Sequence, residues 1–342
     1  MRQPRPGVGQ VITVNETTAN LGAADAEAAV TRYYFSSNTT LDPSDTLVGE
    51  RATPYLESGT ASGTTVTLTV PAVVTGPYYL IANADDAHEI AETSETNNSR
   101  KVRIDVGPDL VVADLTAPAL AAAGGVIAVV DTTANQGGGT AASTETSFYL
   151  SANTALDASD VLLGMRTVAE LPGGQDSNVS TPFTLAAGTA TGSYYVIAKA
   201  DQGGSVIELS ETNNITRTSA VMKVGPDLVV SALTAPATVV RNVAFVMTDT
   251  TRNLGGGPAI ATTTSYFLSV NGTLDASDVL LTSRTVGALA GVADDSGSVS
   301  VVISVSQAAG NYYIIAKSDN GSVVTELLET NNTKVRSIKV NP

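Results

Sequence analysis

Gly192-Ser193-Tyr194-Tyr195-Val196-Ile197-Ala198 is the stretch of sequence that decides the fold. Aromatic and β-branched residues favour strands, and adjacent side chains of a strand point to opposite faces of its sheet. One tyrosine ring of the pair therefore fills a core while the other lies at the surface. The same tyrosine pair stands at 78–79 and at 312–313, which is 116 residues earlier and 118 residues later. The strand therefore belongs to a unit that occurs three times.

Other short motifs repeat with nearly the same period. Thr-Leu-Asp-Pro-Ser-Asp at 40–45 returns as Ala-Leu-Asp-Ala-Ser-Asp at 155–160 and as Thr-Leu-Asp-Ala-Ser-Asp at 273–278, which are shifts of 115 and 118 residues. A repeat of this length has the size of one ordinary domain and is longer than a helical solenoid repeat. The sequence therefore predicts three domains. We call them unit 1, unit 2 and unit 3, with bounds at 1–107, 108–225 and 226–342.

Each unit is predicted to consist of β-strands. The middle unit has short apolar stretches, some of period two, between Gly, Pro and Asp turns, and no long stretch has a helical period. Seven short strands in one unit are typical of an antiparallel sandwich of the immunoglobulin type. The predicted fold class is therefore all-β, with three tandem immunoglobulin-like antiparallel β-sandwiches in a rod. The strands of unit 2 are expected at residues 109–115, 125–133, 144–151, 161–164, 178–185, 192–200 and 216–224.

Unit 1 lacks the segment that opens unit 2. That segment, Gly-Pro-Asp-Leu-Val-Val-Ala-Asp-Leu, occupies 107–115, whereas residue 1 aligns with about residue 116. The last unit stops at Val340-Asn341-Pro342, where another unit would begin. Two interpretations follow. The chain is a stretch of a longer array, or the first strand of unit 1 is supplied by another subunit.

Composition excludes several classes of function. The chain has no Cys, no Trp and one His, so disulfides, Cys-ligated zinc and thiol nucleophiles are excluded. The formal net charge of −15 argues against a nucleic-acid partner, because phosphate binding needs a basic face. No apolar run approaches the length of about 18 residues that a membrane span needs. The sequence offers no nucleophile–base pair and no cofactor loop, so we expect a protein that is not an enzyme.

The order of the motifs resembles the CARDB domain, a cell-adhesion-related domain found in bacteria. The resemblance spans all three units and implies an immunoglobulin- or fibronectin-type sandwich on secreted or surface-attached prokaryotic proteins. An extracellular or cell-surface location follows from it, but no specific ligand does. In unit 2 it rests on Pro-Asp-Leu-Val-Val at 108–112, Asn135 with its Gly-rich turn, Phe-Tyr-Leu-Ser at 148–151, the Asp loop at 156–160, the tyrosine pair and Glu-Thr-Asn-Asn at 211–214.

A loop rich in Asn and Asp occurs once in each unit. Calcium binds six to eight oxygens, and a loop with one amide and two carboxylates could supply about half of them. The alternative is turn chemistry, because Asn and Asp side chains cap their own backbone. Both interpretations are open from the sequence, and calcium is the one cofactor it suggests. The residues are Asn38, Asp42 and Asp45 in unit 1, Asn153, Asp157 and Asp160 in unit 2, and Asn271, Asp275 and Asp278 in unit 3.

A second acidic group lies on the last predicted hairpin of each unit, next to a pair of Asn residues. The favoured hypothesis is a hairpin that Glu and Asn stabilise through backbone contacts. An ion or interface site is the second, and a catalytic carboxylate pair is the third. Three active sites in consecutive small domains would be unusual, which disfavours catalysis. The group comprises Asp85, Glu92 and Glu95, then Asp201, Glu208 and Glu211, then Asp319, Glu326 and Glu329.

The connections between units are short and contain proline. Val106-Gly107-Pro108-Asp109 and Val224-Gly225-Pro226-Asp227 are the whole links, and proline restricts both itself and its predecessor. We therefore expect a structural or adhesive extracellular protein whose units are beads of a surface fibre or filament. Its partners would be further copies joined head-to-tail by strand complementation, or other surface proteins and glycans. The alternative is a carbohydrate- or protein-binding accessory or spacer module of a larger secreted protein.

Overall fold

The structure, a computed structural model, describes residues 5–342. This range contains β-strands and no helix, so the predicted all-β class is confirmed. No helix that could cross a membrane is present within it. The strands group into three consecutive two-sheet sandwiches, one per unit.

The described part of unit 1 contains six strands in two sheets. β1 pairs with β4, and the larger sheet has the order β3-β2-β5-β6. All of these pairings are antiparallel. The strands are β1 (Val11–Ala19), β2 (Ala29–Ser36), β3 (Thr46–Thr53), β4 (Ala61–Thr69), β5 (Gly76–Asn83) and β6 (Ser99–Val106).

Unit 2 is a more complete sandwich. Its small sheet has the order β12-β9-β7, and its larger sheet has the order β11-β10-β13-β15-β8, with β14 also paired to β13. The strands are β7 (Leu110–Thr116), β8 (Leu120–Ala121), β9 (Val126–Asn135), β10 (Thr144–Ser151), β11 (Val161–Val168), β12 (Asp176–Thr184), β13 (Gly192–Lys199), β14 (Ile215–Arg217) and β15 (Met222–Val224).

Unit 3 repeats the arrangement of unit 2. Its sheets have the orders β16-β18-β21 and β17-β23-β22-β19-β20. The strands are β16 (Leu228–Thr234), β17 (Thr238–Val240), β18 (Ala244–Asn253), β19 (Thr262–Ser269), β20 (Val279–Val286), β21 (Asp294–Val302), β22 (Gly310–Lys317) and β23 (Thr333–Asn341).

The opening segment of units 2 and 3 contributes to both sheets. β7 pairs antiparallel with β9 in the small sheet, and β8 then pairs parallel with β15 in the larger one. β16 and β17 do the same in unit 3. These two parallel pairings depart from the purely antiparallel sandwich that the sequence predicts. The described residues of unit 1 include a counterpart of the second half of this segment, where Pro6 accepts a hydrogen bond from the N–H of Gly107.

The tyrosine pair lies on the strand that leads back into each core. On β22, Tyr312 is buried and Tyr313 is exposed, as the period of two requires. The Tyr194 hydroxyl donates to the carbonyl of Ala190 at 2.9 Å, which ties the preceding turn to β13. The corresponding bonds join Tyr78 to Val74 and Tyr312 to Ala308.

An ion pair joins the two sheets of each sandwich, and in unit 2 both partners are buried. In unit 2, Arg166 on β11 donates two hydrogen bonds of 2.7 Å to Asp131 on β9. The Asp131 side chain is 0% exposed and the Arg166 side chain 6%. Alternate residues of β9 face the core, so its inward face is apolar at one end and polar from Asp131 onward. The counterparts are Arg51 with Glu16 in unit 1 and Arg284 with Asp249 in unit 3.

Candidate functional site: the strand latch and the joints between units

The Asn/Asp loops lie at exposed hairpin tips between β2 and β3, β10 and β11, and β19 and β20. In unit 2, Asn153 accepts the N–H of Ala155 at 2.8 Å, and Asp157 accepts the N–H and hydroxyl of Ser159 at 2.8 and 2.6 Å. Asp160 in turn accepts the N–H of Asp157 at 2.9 Å. The serine bonds lower the pKa of Asp157 below its ordinary value. Units 1 and 3 repeat this network.

These contacts belong to the turn-capping interpretation, because each side chain binds backbone N–H groups within its own loop. Asp160 Oδ1 and Asp278 Oδ1 are buried and have no hydrogen-bond partner among the described residues. A calcium ion would draw on them and on backbone carbonyls. The calcium site therefore stays a prediction, and the geometry favours turn-capping.

The second acidic group holds the opening strand in place. Glu208 accepts the N–H of Leu110 at 2.5 Å through Oε2 and the Nδ2 of Asn214 at 3.0 Å through Oε1. Asn213 donates to the carboxylate of Asp109 at 2.9 Å. We call residues 208–214 and their counterparts the strand latch, because they grip the head of the opening strand. The same bonds in unit 3 join Glu326 to Leu228 and Asn331 to Asp227.

Burial alters the chemistry of the latch glutamates. Glu208 is 8% exposed, and burial, assisted by the nearby charge of Glu211, raises the pKa of Glu208 to about 7. Burial likewise raises the pKa of Glu326 to about 7. The bonds from Leu110 and Leu228 act in the opposite direction but are outweighed. The latch carboxyls of units 2 and 3 therefore change charge near neutral pH.

Asp201, Glu208 and Glu211 bring carboxylate oxygens within 4.8 Å of one another, a spacing that would suit a metal ion. These oxygens already accept hydrogen bonds inside the hairpin. Asp201 accepts the N–H groups of Ser205 and Val206 at 3.1 and 2.9 Å, and Glu211 accepts the N–H of Glu208 at 3.0 Å. A metal ion would compete with these backbone donors. The hydrogen bonds of the hairpin therefore account for the cluster without an ion.

A buried asparagine holds the other side of the strand head. Asn135, at the end of β9, accepts the N–H groups of Asp109 and Gly137 at 3.0 and 3.1 Å. Its amide group donates to the carbonyls of Gly139 and Leu171 at 2.7 and 2.9 Å. We call this residue the Asn anchor. Asn253 makes a corresponding set of bonds in unit 3.

Unit 1 has a latch and an anchor, and none of its described strands lies between them. Asn98 donates to Glu92 Oε1 at 3.2 Å, and Glu92 donates its N–H to Glu95 at 3.1 Å, as in the other latches. Asn20 accepts the N–H of Gly22 at 3.0 Å, as the other anchors do with their glycines. No opening strand in the described residues donates to Glu92 or Asn20, and β1 pairs with β4 alone. These contacts of the latch and the anchor are therefore formed in unit 1 without a described strand between them.

The glycine-rich turn after the anchor packs against the preceding unit. A Cβ added at Gly138 would lie 2.0 Å from the carbonyl oxygen of Arg5, and one added at Gly256 would lie 2.5 Å from the nitrogen of Ala121. Any side chain at these positions would clash with backbone. Glycine is therefore required by close backbone contact at both joints.

Polar contacts reinforce the joint between units 1 and 2. Arg5 forms an ion pair with Asp109, whose side chain is 1% exposed. Gln10 donates to the carbonyl of Gly138 at 2.9 Å. Asp109 is the residue that the latch and the anchor also hold. Asp109 therefore contributes both to the fold of unit 2 and to the contact between units 1 and 2.

The sequence located the acidic residues of the latch and noted Asn135 only as part of the family resemblance, so it missed the role of the anchors and the buried ion pairs. The internal alignment contains the missing signal, because a polar residue recurs at each of two equivalent positions in every copy. Asn20, Asn135 and Asn253 are equivalent, and so are Arg51, Arg166 and Arg284.

The solved structures similar to this chain include single CARDB domains. One is the CARDB domain of a Pyrococcus furiosus protein in complex with di-metal ions, 24% identical over 34% of this chain and 90% of that chain, with a TM-score of 0.28. Another is a domain of a protein proposed to lie at the cell surface of Methanosarcina acetivorans, 27% identical over 34% and 92% of the two chains, with a TM-score of 0.27. Red sea bream transglutaminase is 16% identical over 67% of this chain and 31% of its own, with a TM-score of 0.33.

No curated protein matches the chain. The sequence profile of the CARDB family matches it three times, at residues 2–102, 107–218 and 225–336. Each match corresponds to one of the three sandwiches. The resemblance noted in the sequence is confirmed, and the chain belongs to the CARDB family as three tandem copies of its domain.

Proposed function

We propose that the protein is a stiff structural or adhesive element of an extracellular surface fibre and is not an enzyme. The packed joints are the observation that carries this proposal. Each joint leaves three residues between consecutive strands, for example between β6 and β7. Close glycine contacts and the ion pair of Asp109 restrict movement there. A joint of this kind fixes the orientation of one unit relative to the next, whereas a flexible Gly/Ser linker does not.

Family membership supports a location outside the cell, since CARDB denotes a cell-adhesion-related domain. The net charge of −15 supports an extended element, because self-repulsion keeps a tandem chain extended and soluble. Within this role we propose head-to-tail association of chains through strand complementation. The partners would be copies of the chain or other surface proteins and glycans.

A carbohydrate- or protein-binding spacer of a larger secreted protein is the second candidate function. Sugar platforms usually present exposed aromatic rings, and Tyr313 at 36% exposed and Tyr55 at 49% are the tyrosines among the exposed large apolar residues. A glycan array with specific hits that vanish in Tyr55→Ala or Tyr313→Ala would favour this candidate. An array without hits would leave the structural role ahead.

Small-angle X-ray scattering of the intact chain tests the stiff element. Strands of eight to ten residues extend roughly 26–33 Å, and the turns at their ends bring a sandwich to roughly 30–40 Å, so three in line give a maximum dimension on the order of 100 Å. Gly138→Ala forces the first joint open and should broaden and shorten the distance distribution. Gly203→Ala is the matched control, because a Cβ there meets nothing within 4 Å. A wild-type profile as broad as that of Gly138→Ala would refute the stiff joint.

A further inference from the structure

The larger sheet of unit 3 contains cations but no carboxylate. Its strands are β17, β19, β20, β22 and β23, and none of them includes Asp or Glu, although the chain has 33 acidic against 18 basic residues. A basic sheet in so acidic a chain is a local separation of charge. Such a surface favours an anionic partner. The cations are Arg284 on β20, Lys317 on β22, and Lys334, Arg336 and Lys339 on β23.

Lys317 and Lys339 have no carboxylate partner within the protein. Among the described residues, the ion pairs of unit 3 are formed by Arg252 and Arg284. Lys339 is exposed and Lys317 is half-buried, so both ammonium groups are accessible from solvent. Their charges are therefore available to an anion from outside the chain.

The two lysines lie on the outer face of this sheet, with an exposed tyrosine between them. The core-facing residues of β22 alternate with Asn311, Tyr313, Ile315 and Lys317, and Lys339 pairs opposite Asn311. The six residue steps from Asn311 to Lys317 span about 20 Å along the strand. Tyr313 is 36% exposed. The face therefore presents a cation, an aromatic ring and a second cation along one direction, over the length of several sugar rings.

The tyrosine ring favours a sugar over an acidic polypeptide as the anionic partner. Tyr313 lies on a rigid strand next to Ile315, which pairs opposite Phe267 on β19. Ile315 is 1% exposed although it belongs to the outer face, so the neighbouring side chains form a closed apolar base. An aromatic ring fixed in this way packs against the C–H face of a sugar ring at little entropic cost. An acidic peptide would use the lysines but has no flat apolar ring for the tyrosine.

The equivalent face of unit 2 is occupied by its own side chains. Tyr195 is the counterpart of Tyr313, and the guanidinium of Arg217 lies over its ring at 5.0 Å from the centroid. Glu145, on the neighbouring strand β10, brings an exposed carboxylate to the same face as Lys199. The ring of unit 2 is therefore covered, and its face contains a negative charge.

In unit 1 the charges of this face are paired with one another. Asp105 occupies the position of Lys339, and Arg103 donates to it at 2.8 Å. Arg32 pairs with Asp86 at 3.0 Å. Among the described residues, only unit 3 therefore combines an uncovered ring with unpaired cations and no carboxylate on this face.

We propose that the outer face of β22 and β23 binds a linear anionic polysaccharide. One sugar ring stacks on Tyr313, and acid groups of the sugars on either side bind the ammonium groups of Lys317 and Lys339. Uronate and sulfate sugars share this chemistry. The inference deepens the proposed adhesive role and rests on it, because it names the class of glycan that the surface element binds.

Affinity electrophoresis of the intact chain, in native gels that contain a polymer, tests the ligand class. The probes are polygalacturonate and dextran sulfate, and the control is methyl-esterified polygalacturonate, which keeps the rings and lacks the charge. We expect saturable retardation by at least one probe, and binding of the ester weaker by about threefold or more than that of polygalacturonate. Equal retardation by polyglutamate or by single-stranded DNA would show that charge alone is recognised and overturns the proposal. Retardation by neither probe overturns it as well.

Variants of the protein test the site itself. Lys317→Gln/Lys339→Gln should weaken binding about threefold or more, and so should Tyr313→Ala. Lys334→Gln/Arg336→Gln is the matched control, because it removes two charges from positions that the alternation of β23 directs to the opposite face. An equal loss of binding in this control overturns the site.

Hydrogen exchange checks the fold and the location together. Exchange of unit 3 in the free variants should match the wild type, since the substituted side chains contact solvent, and bound polymer should slow exchange on β22 and β23. Slower exchange confined to units 1 and 2 overturns the site. Scattering from the unliganded chain reports on the stiff joints independently, so failure of either proposal is recognisable.

Discussion

Arg166→Ala is expected to lower the free energy of unfolding of unit 2 by about 3–5 kcal/mol, the usual cost of removing one partner of a buried ion pair. The substitution takes two hydrogen bonds of 2.7 Å from Asp131, whose side chain is 0% exposed. It also removes the donor to the carbonyl of Ser177 at 2.9 Å. The Thr133 hydroxyl still donates to Asp131 at 3.0 Å, but a neutral donor does not compensate a buried charge.

Hydrogen exchange of the intact chain, read by mass spectrometry, follows each unit separately. Three tandem domains need not unfold in one transition, so a single melting curve would not isolate unit 2. One power of ten in exchange corresponds to about 1.4 kcal/mol, so amides of β9 to β12 should exchange roughly two to four powers of ten faster. Unit 3, with its own Arg284 pair, is the internal control. The double variant Arg166→Met/Asp131→Leu should recover most of the free energy of unfolding that unit 2 loses in Arg166→Ala, because no unpaired charge stays buried. If the amides of β9 to β12 in Arg166→Ala exchange within about threefold of their wild-type rates, the expected cost of breaking the Arg166–Asp131 pair is refuted.

Three further predictions concern pH, a hydroxyl group and calcium. Burial raises the pKa of Glu208 and Glu326 from 4.5 to about 7, so their contribution to stability is complete below pH 4.5 and is lost as the pH rises through 7. Calorimetry should therefore give a lower Tm at pH 8 than at pH 5. The double variant Glu208→Gln/Glu326→Gln should show a smaller difference between these two Tm values. The same difference in the variant as in the wild type would contradict the role of these two glutamates. Tyr266→Phe removes the hydroxyl that donates to Asp249 and should lower the free energy of unfolding of unit 3 by about 1–3 kcal/mol, measured by hydrogen exchange. Phe148 occupies the equivalent position in unit 2, which shows that a phenylalanine ring fits there. The Tm in excess calcium and the Tm after addition of chelator should differ by less than about 1 °C, because most side-chain oxygens of the Asn/Asp loops already accept hydrogen bonds within the loop. A Tm several degrees higher in calcium would instead support the calcium site.

Local features of the fold were predictable from the sequence. The Asn/Asp loops close through bonds between residues two to four positions apart, for example from Ala155 to Asn153 and from Ser159 to Asp157, so turn chemistry could be inferred from the residue types. The strands followed from apolar stretches, turn signals and short-range alternation. The parallel pairing of β8 with β15 was not predictable, because it depends on where Pro118 turns the chain between two sheets.

The candidate site was predictable only in part. The acidic residues near Asn213 and Asn214 stood out by their repetition, and the sequence favoured a hairpin stabilised by backbone contacts. It did not show that the backbone belongs to the opening strand. The unit bounds and the calcium ligands stay predictions.

The sequence by itself determined the period of the repeat and the all-β class. These are properties of residue order and of side-chain alternation, which a single chain displays directly. Only the tertiary structure decided what Glu208 binds, because its partner Leu110 lies 98 residues away. It likewise decided that the glycine turn is a joint, since the backbones of Gly138 and Arg5 come close enough to exclude a Cβ only when the two units are packed together. Such contacts depend on how distant parts of the chain meet, and that is fixed by the packing of whole sheets rather than by local pattern.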